Sequence, residues 1–141
     1  MHSIIYTSRA LDSFDSIQVY QMLEGSRSYN AEHGITGCLL YHERQFVQIL
    51  EGDYQVVDGL FQKIRHDQRH AEVSLLMEDN TDQRLFDNWN MGFYEFISKE
   101  ERQLFRKHQF NQFFENSNLF RQSSKTGLLF FKRVRDLLES N

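Results

Sequence analysis

Gln45-Phe46-Val47-Gln48-Ile49-Leu50-Glu51-Gly52 is the stretch on which the fold depends. Phe46, Gln48 and Leu50 alternate with Val47 and Ile49, so a strand here carries apolar side chains on both faces. A strand over Gln45–Leu50 buried on both sides needs a layer above it and a layer below. Glu51-Gly52-Asp53 is expected to break it, with Asp53 as the N-cap of the next helix. Gln48 interrupts the apolar pattern, and burying an unsatisfied amide costs roughly 1–3 kcal/mol, so it must have partners.

Upstream, Glu43-Arg44 turns the chain, and Ile35–His42 reads as another strand. Gly34 stops a helix that starts among the caps of Asp12–Ser16 and runs to about His33, with Ile17, Val19, Tyr20 and Leu23 as its apolar positions. Ser3–Ser8 is short and rich in β-formers, a first strand. Downstream, Val56, Val57, Leu60, Phe61 and Ile64 recur at helical spacing up to about His66. Val73–Met77 and Met91–Ile97 supply two more strands, linked by a polar loop that contains Leu85, Phe86 and Trp89.

The order β-α-β-β-α-β-β predicts an α+β, ferredoxin-like fold with an extra strand, its first and third strands central neighbours and its two helices on one sheet face. The other face is left to the tail. Helices over Ser98–Glu115 and Lys125–Glu139, with Leu104, Phe105, Leu128, Phe131, Val134 and Leu138 as apolar stripes, form a two-helix cap. Residues 1–97 are thus read as the core domain and 98–141 as a C-terminal cap. Phe110, Phe113, Phe114 and Phe120 belong to its core or partly expose an oligomer surface.

At 141 residues, 40% hydrophobic and 26% charged, the chain suits one globular unit and excludes extensive disorder. No apolar run approaches the ~20 residues that span a bilayer. The N-terminus lacks the pattern of a secretory signal, and Cys38, the single cysteine, cannot form an internal disulfide. A cytoplasmic location is expected, without a membrane partner. Residues 1–92 carry a net −7 and residues 93–141 a net +3, so the N-terminal part is no nucleic-acid surface.

Tyr6 lies mid-strand with Ile4 and Ser8 on its face, within reach of Gln48 if the first and third strands pair. Gln48 is then either bonded to neighbouring backbone or aimed at a buried polar ligand. Met22, Ser26 and Asn30 repeat every four residues, a stripe neither bulky enough for plain packing nor charged enough for a solvated face. Lys63, Asp67, Arg69 and His70 cluster after the second helix, a solvated charge cluster or a holder for phosphate. His66 and His70 are four apart, but no third metal ligand joins them, and no metal site is expected.

Ile5-Tyr6-Thr7-Ser8, Ser26-Arg27-x-x-Asn30, Gly34-Ile35-Thr36-Gly37, Phe46-Val47-Gln48-Ile49-Leu50-Glu51-Gly52, Asp67-x-Arg69-His70 and Trp89-x-Met91-Gly92-Phe93 occur in this order. Over residues 2–97 this collinear set resembles the BLUF family, blue-light sensors using FAD, and the tail resembles the cap of short, stand-alone members. The resemblance implies a non-covalently held flavin (FAD, with FMN as the alternative) between the two helices. It implies that Asn30 bonds the ring's carbonyl and imide edge and that Gln48 contacts the ring while bonding Tyr6. Met22 and Ser26 would line the ring, and Lys63, Asp67, Arg69 and His70 would lie toward the ribityl-phosphate end. Tyr6, Gln48, Trp89 and Met91 would form the photoactive switch. Tyr29 stands where many relatives carry a second polar residue.

The same resemblance implies a sensor, not an enzyme. Light would drive electron and proton transfer from Tyr6, and Gln48 would rotate or tautomerise. Signalling would pass through the Trp89–Met91 segment and the cap to an unidentified downstream protein or a homo-oligomer. The alternatives are a light-independent flavin-binding or interaction module, a small ferredoxin-like enzyme and an RNA-binding sheet. The last two lack, respectively, a nucleophile–base or phosphate-loop signature and a basic open face.

Overall fold

The computed structural model describes residues 1–87, 91–95 and 125–139. Its elements are β1 (His2–Ala10), α1 (Ser16–His33), β2 (Thr36–His42), β3 (Gln45–Gly52), α2 (Tyr54–Arg65), β4 (His70–Asn80), β5 (Gly92–Glu95) and α3 (Lys125–Glu139). The sheet order is β4-β1-β3-β2-β5, antiparallel throughout except for β5 beside β2. This is the α+β, ferredoxin-like arrangement, with β1 and β3 central.

Local chemistry starts and stops the elements. The Asp15 carboxylate accepts from the Gln18 amide while the Gln18 side chain accepts from the Asp15 amide, a capping box at the head of α1. Gly34 ends the helix in the left-handed region at φ 67°, and its N–H and that of Ile35 both bond the Asn30 carbonyl. Asp53 caps α2 through the Gln55 amide. Glu43 and Arg44 both adopt positive φ, the two-residue hairpin whose twist matches the flanking strands.

β3 is buried from Phe46 to Gly52. On one face Ile4, Tyr6, Phe46 and Leu50 pack under Val19 and Leu23 of α1 and Val57 and Phe61 of α2. On the other, Ile5, Cys38, Val47 and Ile49 meet Phe130, Phe131 and Val134 of α3. Burying each of those three side chains is worth about 1.5–3 kcal/mol, enough to dock a helix of four turns.

Several sequence expectations need correction. Glu51-Gly52 does not end β3: Glu51 pairs with Ser3 and Thr36, Gly52 with His2, and hydrogen bonds to the Glu51 carboxylate override weak β propensity. β4 exceeds Val73–Met77 because β1 pairs with it from His70 to Asn80 across two register shifts and, on this sheet edge, polar side chains point to solvent; Glu72, at φ 56°, sits at one of those shifts. β1 likewise exceeds Ser3–Ser8, while Ile35 and Met91 precede their strands. Leu85 and Phe86 lie in the expected loop after β4, and they are buried in the far-face core. Leu128 is 58% exposed; it lies roughly 120° around α3 from Val134, and Phe130 fills its expected place. The Ser98–Glu115 helix, with Leu104, Phe105, Phe110, Phe113 and Phe114, lies outside the described residues. So do Phe120, Trp89 and the Leu138 side chain.

Candidate functional site

A cavity of about 550 Å³ opens between α1 and α2 above the centre of the sheet. Ladder geometry builds its floor. Tyr6 and Gln48 are cross-strand partners on β1 and β3, and period-two alternation turns both toward the helices. The Tyr6 phenol donates to Gln48 Oε1. Gln48 Nε2 donates to Met91 Sδ at 3.1 Å. With Tyr6 4% and Gln48 7% exposed, water does not compete for these bonds. Burial, and after it the Asp67 carboxylate, hold the Tyr6 phenol far above the ordinary tyrosine range. It is therefore a neutral O–H donor at any physiological pH.

The walls come from the helices. Met22, Ser26 and Asn30 of α1 all line the cavity. Met22 and Ser26 are half-buried and Asn30 fully buried, its position set by the two amides that bond its own carbonyl at the helix end. Leu60, Lys63 and Ile64 of α2 line the opposite wall, and the Lys63 ammonium sits 4.9 Å from the Tyr29 ring centroid.

The turn after α2 closes one end. Asp67 accepts from the Arg69 backbone and, at both oxygens, from its guanidinium, which holds its carboxyl below the usual carboxylate range. Arg69 also lies 5.7 Å from the Phe14 ring centroid. His70 Nε2 donates to the Ile64 carbonyl at 2.6 Å and Nδ1 meets Ser8 Oγ at 3.0 Å. Its ring thus spans α2 and β1, with both nitrogens committed.

One cavity therefore collects Tyr6, Met22, Ser26, Asn30, Gln48 and Lys63 with Asp67, Arg69, His70 and Met91. Sequence reading missed Gln21 and Gly25, which with Tyr29 form a second row of α1 beside the Met22–Ser26–Asn30 row at the same four-residue spacing. It also missed that Arg27 Nε donates to the Met91 carbonyl at 3.0 Å, tying α1 to the residue that meets Gln48. Nothing in the spacing announces that bond, since 64 residues separate its partners. Cys38 is buried in the far-face core, and burial pushes its thiol well up, away from reactivity.

Such a slot suits a flat heteroaromatic molecule with a polar edge and an anionic tail. Its volume is that of a cofactor site, its buried end offers amides, and its cations lie at the exposed end. Among the described residues no three His, Cys, Asp or Glu side chains gather to hold a metal ion, and no helix is long and apolar enough to cross a membrane.

Comparison with known proteins agrees with this chemistry. The photoactivated adenylate cyclase subunit beta of Euglena longa is 35% identical over 71 residues, 50% of this chain and 8% of that protein. The blue light- and temperature-regulated antirepressor BluF of Escherichia coli K12 is 27% identical over 93 residues, 66% of this chain and 23% of that protein. The chain thus spans less than a quarter of either relative. Among solved structures, BlsA in its photo-activated state superposes with a TM-score of 0.69 at 27% identity, covering 99% of this chain and 96% of that one. Klebsiella pneumoniae BlrP1 with FMN and cyclic diGMP gives 0.77 at 25% identity, covering 97% and 34%. Residues 1–92 match the family described as sensors of blue light using FAD. The chain belongs to the BLUF family, flavin-binding sensors of blue light.

Proposed function

We propose that this chain is a blue-light receptor that holds FAD in the cavity between α1 and α2, with FMN as the alternative occupant. Bound flavin supplies a chromophore that becomes a strong one-electron oxidant when excited by blue light. Asn30 and Gln48 present amides to its polar edge, Met22 and Ser26 line its plane, and Lys63 faces the anionic tail. Arg69 commits its guanidinium to Asp67 and His70 commits both nitrogens, so these three shape that end more than they bind it.

Tyr6 is the redox-active residue of this reading. A phenol that loses an electron becomes strongly acidic, and the Tyr6 proton already points at Gln48 Oε1. The amide takes up the change by rotation or tautomerisation, since it carries one donor end and one acceptor end. Its Nε2 then leaves Met91 Sδ. When Tyr6 regains its electron and proton, the altered hydrogen-bond pattern remains as the stored signal. Trp89 and Met91 are the segment that answers it. Residues 1–97 act as the sensor and 98–141 as the output, passed by contact to a second copy or to a downstream protein.

The Tyr6–Gln48–Met91 chain of hydrogen bonds on the cavity floor is the observation that carries this reading. The test is an absorption spectrum of the FAD-loaded protein before and after blue illumination. A reversible red shift is expected, lost in Tyr6→Phe and Gln48→Leu while flavin stays bound. A normal shift in Tyr6→Phe removes that residue from the mechanism. Flavin extracted from the purified protein identifies FAD or FMN, and molecular mass measured dark and lit tests the oligomer.

A further inference from the structure

A row of polar side chains crosses the far face of the sheet, opposite the cavity. Asp79 of β4, Ser3 of β1, Glu51 of β3 and Thr36 of β2 are successive cross-strand neighbours. Ser3, Glu51 and Thr36 are each no more than 5% exposed, in a layer otherwise built from Ile5, Cys38, Leu40 and Ile49. A carboxylate in such a place is costly unless every lone pair finds a donor. Glu51 Oε1 accepts from the Thr36 hydroxyl at 2.8 Å and the Phe86 amide at 2.7 Å, and Oε2 accepts from the Leu85 amide at 2.8 Å. Arg84 Nη1 donates in turn to Thr36 Oγ1 at 2.9 Å, which leaves the hydroxyl proton for Glu51. Donors thus reach both oxygens, although burial outweighs these bonds and leaves the Glu51 carboxyl raised.

The other half of the row holds a helix. Asp79 Oδ2 accepts from the Lys125 amide at 3.0 Å, capping α3 from a neighbouring strand. Ser3 Oγ and Thr126 Oγ1 lie 2.5 Å apart. Between the halves, the Phe86 ring meets Phe130 edge to face, with centroids 6.3 Å apart. Residues 84–86 are thus fixed from below by Glu51 and touch α3 from the side. Met91, five residues on, bonds Gln48 on the cavity floor, and Gln48 lies three residues from Glu51 on the same strand.

Resting on the sensor reading above, we propose that Glu51 is a positioning residue that couples Met91 to the C-terminal helix. Its carboxylate makes residues 84–86 one rigid piece with the sheet. A change at the Gln48–Met91 contact then reaches α3 through Phe86 and Phe130 instead of dissipating in a loose loop. A glutamine at this position keeps the shape but presents an NH₂ group to the Leu85 or Phe86 amide, donor against donor.

The experiment uses the full chain loaded with FAD, wild type and Glu51→Gln, followed by absorption and by amide hydrogen exchange, dark and lit. In the variant the light-induced red shift is expected to persist, because Tyr6 and Gln48 are untouched. The amides of Leu85 and Phe86 should exchange about tenfold faster in the dark, as loss of a buried hydrogen bond gives. The light-dependent change in exchange over α3, present in the wild type, should disappear. If Glu51→Gln does not fold, Phe86→Leu, which keeps the carboxylate and removes the ring contact, carries the same expectation for α3. A wild type whose α3 is indifferent to light, or a variant whose α3 still responds, overturns the proposal while leaving the sensor reading intact. A wild type with no red shift overturns both.

Discussion

Asn30 shows how a single side chain is placed by backbone it does not control. Its carbonyl receives two amides at the end of α1, which fixes the backbone there, and the buried residue lines the cavity. Asn30→Ala should weaken flavin binding by about 1–2 kcal/mol, the worth of a buried hydrogen bond and its abandoned partner. Equilibrium dialysis against free FAD measures this, and unchanged affinity removes Asn30 from the site. Tyr6 carries a prediction of a different kind. An unfolded tyrosine ionises near pH 10, while burial keeps the folded phenol neutral well above that. The folded state then binds the extra proton, so this contribution is whole below about pH 10. It falls by about 1.4 kcal/mol per pH unit above it, until the folded phenol titrates. Urea midpoints of the flavin-free protein between about pH 9 and 11 should show this slope, and Tyr6→Phe should flatten it.

At the scale of elements, two glycines test opposite expectations. A Cβ on Gly37 of β2 would stand 2.1 Å from the Ile49 carbonyl oxygen of β3, a backbone atom inside a central ladder. Gly37→Ala must spread the strands that carry Gln48, and a loss of about 3 kcal/mol, the upper end for overpacking, is expected. Gly59, on the exposed side of α2, has nothing within 4 Å of its added Cβ. Gly59→Ala should stabilise the protein by about 0.5–1 kcal/mol through helix propensity alone. Thermal unfolding of both variants checks the signs, and a stable Gly37→Ala protein contradicts the close β2–β3 approach. Elements were legible where chemistry is local: the Asp53 cap, the Gly34 stop and the Glu43-Arg44 turn depend on neighbours in the chain. The ends of β3 and β4 were not. Whether Glu51 or Glu78 belongs to a strand is decided by a partner strand, which propensity does not contain.

For the molecule as a whole, sheet order turns separate residues into two opposed sites. β1 and β3 stand centrally, so Tyr6 and Gln48 meet under the helices while Ser3 and Glu51 meet over α3. The same two strands thus serve the cavity and the far-face row, and a disturbance on one side has a short path to the other. The sequence by itself determined the βαββαββ order, the flavin-sensor family and part of the cavity lining, Tyr6, Gln48 and the Met22–Ser26–Asn30 row among it. Those come from periodicity, caps and a collinear set of motifs, all of which are properties of the chain read in one dimension. Only the tertiary structure decided that Gln48 points its nitrogen at Met91, that Arg27 holds the Met91 carbonyl, that Leu128 faces water and Phe130 the core, and that Glu51 grips residues 84–86. Each of these joins atoms far apart in the chain or depends on which side of an element meets its neighbour, and that is settled by packing in three dimensions.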